Sequence, residues 1–128
     1  IKNRNPDYMV AFSPNPYPWC KENLMQDWPH WVENDIVELL SVQCYRTSFP
    51  AYKNAVDEAL NYAVENGLNK RRFCPGVLLG IGSGKSISYP LLDSILIYND
   101  ALEIGGQNYF YVKWLLEDTT FQTTINNN

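Results

Sequence analysis

Between residues 49 and 66 apolar side chains recur with the period of an α-helix. Tyr52, Ala55, Val56, Ala59, Leu60 and Ala63 fall at i, i+3, i+4, i+7, i+8 and i+11, and Lys53, Asn54, Asp57, Glu58, Asn61 and Glu65 take the opposite side. Ser48 supplies a cap and Gly67 a stop. Three alanines in the stripe require close approach to a flat partner, for which a sheet face is suited. A second helix is predicted over residues 29–44, where Val32, Ile36, Leu39, Leu40 and Gln43 share a stripe. Asp27 is placed to cap it, and Pro29 stands in the first turn, where a missing N–H costs nothing.

After Pro75 the pattern changes. Apolar runs at 77–81, 92–98 and 109–116, with a weaker one at 119–125, read as strands. Asn99-Asp100 and Gly105-Gly106 supply turns between them. Before the helices, Pro6, Pro14, Pro16 and Pro18 hold residues 1–19 extended, with Tyr17 and Trp19 as anchors. The expectation is one α+β domain over residues 1–128. It has an extended N-terminal arm (1–19), two helices packed on a three- to four-stranded antiparallel sheet, and a frayed tail (126–128).

Composition narrows the partners. An apolar share of 45% in 128 residues fits a folded domain, and no apolar run approaches the roughly 18 residues of a membrane span. The formal charge of −4 disfavours sequence-independent nucleic-acid binding and favours encounter with a basic protein. The cysteines Cys20, Cys44 and Cys74 are odd in number and widely spaced, which favours reduced thiols and an intracellular setting. Ile1 at the start reads as a processed form or a piece of a longer chain. Four Trp and nine Tyr are the unusual feature; such rings join an apolar face to a hydrogen-bonding tip.

Three stretches invite chemistry. Gly80-Ile81-Gly82-Ser83-Gly84-Lys85-Ser86 has phosphate-loop composition, but its glycine spacing is one residue short, so it reads as a hairpin loop and no nucleotide or other cofactor is expected. His30, the single histidine, is the sole candidate base for a Ser or Cys nucleophile. Asp93, set beside Lys113 on a neighbouring strand, would give a small nuclease core or a cross-strand ion pair. The segment Tyr109-Phe110-Tyr111-Val112-Lys113-Trp114 resembles the central strand of chromodomains over residues 93–114, although no aromatic-Glu-Pro follows. That resemblance implies aromatic recognition of a methylated lysine.

The leading functional expectation is a non-enzymatic protein-binding module or accessory subunit. Its contact surface would comprise Tyr109, Tyr111 and Lys113 with Tyr98, Trp19 and Trp28. Two alternatives stand beside it: a small hydrolase or nuclease using His30 or Asp93, and a carbohydrate-binding domain with a shallow groove floored by Trp and Tyr.

Overall fold

The computed structural model of the chain describes residues 3–82 and 85–127, the side chain of Lys85 excepted. In order the elements are β1 (Ala11–Phe12), α1 (Trp19–Leu24), α2 (Trp28–Glu33), β2 (Leu39–Leu40), α3 (Phe49–Glu65), β3 (Gly76–Leu78), β4 (Gly80–Ile81), β5 (Lys85–Ser86), α4 (Tyr89–Ala101), β6 (Asn108–Phe110), α5 (Val112–Glu117) and α6 (Thr119–Asn126). A single 3₁₀ turn at Lys70–Arg72 leads toward β3.

The strands correct the antiparallel expectation. β1 pairs with β2 in parallel, and β3 pairs with β6 in parallel. A parallel bridge between Leu40 and Phe73, with Cys74 N–H donating to Leu40 O and Gly76 N–H to Val42 O (both 2.8 Å), joins the pairs. The chain therefore lays four short segments side by side as β1-β2-β3-β6, with helices in the connections. This is the βαβ arrangement, in which parallel neighbours require a crossover. The only antiparallel pair among the described residues is the β4–β5 hairpin. Its tip, Ser83 and Gly84 of the phosphate-loop-like stretch, lies outside the described residues, as do Ile1, Lys2 and Asn128.

Each misread element has a physical cause. Leu92, Ile95, Leu96 and Asn99 are buried at i, i+3, i+4 and i+7, so the run read as a strand at 92–98 is the inner stripe of α4. Pro90 sits in that helix's first turn, where proline is tolerated. The runs at 109–116 and 119–125 likewise become the short β6 followed by two helices. The Asp118 carboxylate caps the second of these, accepting from Thr120 N–H at 2.9 Å and Phe121 N–H at 3.4 Å. Helix 29–44 shrinks to α2, because the chain turns through Asn34 and a left-handed Asp35 (φ 55°). Past that turn burial has period two: Leu40, Val42 and Cys44 are fully buried and the residues between them are less so. The proline-rich arm is not a loose strap, since its residues 11–12 form the first strand. With 93–101 and 112–114 helical, the chromodomain-like strand is absent.

The 49–66 helix stands as read. Tyr52, Ala55, Val56, Ala59 and Ala63 face inward, and Gly67 (φ 96°) ends it with its N–H on Val64 O at 3.0 Å. Its inner stripe belongs to one core with Leu40, Val42, Cys44, Val77, Leu79, Leu92 and Ile95. The three cysteines are free and buried.

Candidate functional site

β1 and β2 are parallel, so the chain leaves both at the same end of the sheet. Past β1 come Asn15, Pro16 and, at the start of α1, Trp19. Past β2 come Gln43, Tyr45 and Arg46. These six residues line a cleft of about 280 Å³.

The backbone fixes the cleft floor. Asn15 N–H donates to Gln26 Oε1 at 2.9 Å, and Asn15 O accepts from the indole N–H of buried Trp28 at 3.2 Å. The segment is thus clamped from both sides, while the Asn15 side-chain amide makes no hydrogen bond among the described residues. Gln43 N–H donates to Pro14 O at 2.9 Å, and its side-chain Nε2 donates to Ser13 O at 2.8 Å. The Gln43 amide oxygen is left as an acceptor.

Tyr45 lies flat across β3. A Cβ at Gly76 would sit 2.9 Å from a Tyr45 ring carbon, so only glycine allows this approach. On its far side the Tyr45 ring meets Phe110 at a centroid distance of 5.0 Å, and Phe110 meets Tyr111 at 5.1 Å. Burial, and secondarily the neighbouring Cys44, push the Tyr45 hydroxyl above its usual pKa, so it remains a donor at neutral pH. Trp19 is 54% exposed, and Arg46 donates through Nη1 to Tyr45 O at 2.9 Å. A second cavity of about 550 Å³, lined by Thr47, Leu78, Ile81, Ser86, Ile87, Ser88 and Leu91, continues the same rim beyond β2 and β3.

A larger cavity, about 670 Å³, lies at the other end, where Arg71 and Gln107 precede β3 and β6. Its amide and hydroxyl groups bond to one another. Asn99 Nδ2 donates to the Tyr52 hydroxyl at 2.9 Å and to Gln107 Oε1 at 3.3 Å, and Gln107 Nε2 donates to the Tyr109 hydroxyl at 2.9 Å. Parallel α/β sheets bind ligands at the carboxyl ends of their strands, so position selects the smaller cleft over the larger cavity.

Of the residues expected at a contact surface, only Trp19 lines the cleft. Trp28 is fully buried beneath it. Tyr98, on α4, donates its hydroxyl to Asp57, and Tyr109 is bonded into the opposite end of the sheet. Tyr111 begins the turn into α5, and Lys113 lies on α5, 3.8 Å from Glu117. Asp93 stands exposed on α4 rather than across a strand from Lys113, and His30 is exposed, 3.4 Å from Glu33. Sequence reasoning missed Asn15, Gln43, Tyr45 and Arg46. The signal for three of them was the alternation Leu40-Ser41-Val42-Gln43-Cys44-Tyr45, a strand ending on an aromatic and a cation.

Four parallel segments with helical crossovers and a cleft at their carboxyl ends define a βα-type protein with a strand-end cleft. The model of one family, glycosyl hydrolase-like 10, matches residues 1–90, which include β1, β2, β3 and all six cleft residues. The chain belongs to that family. No curated protein and no solved structure matches it.

Proposed function

We propose that the strand-end cleft holds a saccharide, as the binding part of a glycosyl hydrolase-like site. The observation that carries this reading is the cleft's make-up within the family's matched span: an exposed indole and a tyrosine ring beside two side-chain amides with free hydrogen-bonding capacity. Sugars present apolar C–H faces to rings and hydroxyls to amides, and concave sites with a few convergent polar groups suit such ligands. Trp19 and Tyr45 supply the faces; Asn15 and Gln43 supply the polar contacts.

Cleavage of a glycosidic bond ordinarily calls for two carboxylates flanking it. The six cleft residues include none, so they account for holding a sugar rather than for acid–base chemistry. Aromatic surface also serves protein recognition, and the same experiment separates the two. Calorimetric titration with neutral and acidic oligosaccharides is expected to show binding that Trp19→Ala weakens about tenfold or more. Absence of saccharide binding in the folded chain returns the exposed rings to the protein-binding reading.

A further inference from the structure

We infer that the cleft selects a saccharide carrying an anionic group, held by Arg46; this rests on the saccharide reading above. The guanidinium has five donors, and its one hydrogen bond goes to the backbone oxygen of the preceding Tyr45 at 2.9 Å. Arg46 is half-buried and lies within 4.0 Å of no carboxylate among the described residues, in a chain with 14 acidic and 10 basic residues. Lys21 lies 2.9 Å from Asp27, Lys53 2.5 Å from Asp57, and Lys70 2.8 Å from Glu103, while Arg4, Arg71 and Arg72, which also have no carboxylate within 4.0 Å among the described residues, are exposed rather than half-buried. The cation at the cleft wall thus has no carboxylate partner among the described residues, and Asn15, Pro16, Trp19, Gln43 and Tyr45 bring no competing acid.

A half-buried guanidinium is best satisfied by a planar or tetrahedral oxyanion that takes two of its parallel N–H groups. Carboxylate on a uronic-type sugar and sulfate on a neutral sugar both meet that chemistry. A ring stacked on Trp19 would place such a substituent toward the Arg46 wall of a cleft this small. The acidic chain as a whole would slow the approach of an anion, so the preference has to come from this local contact and not from long-range steering.

The test is calorimetric titration of the whole chain with three trisaccharides: a hexuronate, a sulfated neutral sugar and its unsulfated parent. At least one anionic ligand is expected to bind about tenfold or more tightly than the neutral one, with the advantage shrinking as salt is raised. Which anionic arm wins identifies carboxylate or sulfate. Arg46→Gln should erase the advantage of the anionic ligands over the neutral one, and Arg46→Lys should keep part of it. Trp19→Ala should weaken all three. Equal affinities, or an anionic preference that survives Arg46→Gln, overturn the inference while leaving the saccharide site standing. Binding of none of the three removes both.

Discussion

The helix-covered side of the sheet and the rim at its strand ends are built by the same strand segments to opposite rules. On the covered side Leu40, Val42, Cys44, Val77 and Leu79 have no exposure and meet apolar helix residues. The Tyr52 hydroxyl that enters this core is paired with Asn99, whereas the buried Trp114 indole N–H, at the core's edge, has no partner among the described residues. Buried Cys44 illustrates the cost of charge there, since burial pushes its thiol up to about 12 despite the opposing influence of Arg46. At the rim, two residues onward along the same strands, side chains are half-exposed, amides keep free atoms, and a cation stands without an acid. The core sets the positions of the strands, and the strand ends set the positions of the cleft-lining groups. Stability and binding should therefore separate by residue.

The sharpest break in that separation comes from the core. Leu79→Ala deletes a fully buried side chain and should cost about 2–5 kcal/mol in a denaturant melt. A cost near zero would mean the covered side is not the core. Tyr52→Phe should cost about 1–3 kcal/mol, because it leaves buried Asn99 short of a partner.

Gly76→Ala probes the boundary between the two regions. The new methyl would crowd the Tyr45 ring at 2.9 Å and the Val42 carbonyl oxygen at 3.3 Å, so saccharide affinity should fall even in the fraction that stays folded. Unchanged affinity would detach Tyr45 from the site. Trp19→Ala should move the melt by less than about 0.5 kcal/mol while weakening binding.

The smallest effect lies away from both regions. Burial tends to raise the Asp57 carboxyl, but hydrogen bonds from Lys53 and Tyr98 outweigh it and hold the group below its usual range. A depressed carboxylate contributes stability that is present above its unfolded pKa and lost as pH falls through the folded one. Acid melts should therefore show a loss beginning below about pH 4 that Asp57→Asn abolishes. A loss of the same size in that variant would assign it to other carboxylates.

How far this was legible in the sequence follows from the length of each signal. The 49–66 stripe spans many turns of helix and ends at Gly67, so its period admits one reading, although the Ser48 side chain makes no capping hydrogen bond. The strands are two or three residues long, too short for alternation to outvote a chance helical stripe such as Val32-Ile36-Leu39-Leu40. Pro90 stands in the first turn of α4 as Pro29 does in α2, yet only Pro29 was read as a helix start. Parallel pairing is a relation between distant segments and leaves little local trace. The cleft was illegible for the same reason: Asn15 and Gln43 are neighbours only because β1 and β2 run the same way. Trp19 was legible as an exposed ring, but the other residues expected beside it lie on elements away from this cleft.

The central claim is that the strand ends, not the large cavity or the scattered tyrosines, hold the ligand. The most direct measurement is a map of backbone and side-chain NMR shifts as oligosaccharide is added to the folded chain. The account predicts saturating shifts at the Trp19 indole N–H, the Asn15 and Gln43 amides and the Arg46 guanidinium, with Asn99, Gln107 and Tyr109 unmoved. Shifts that cluster instead around Asn99 and Gln107, or on α4 and α5 at Tyr98 and Lys113, would contradict it.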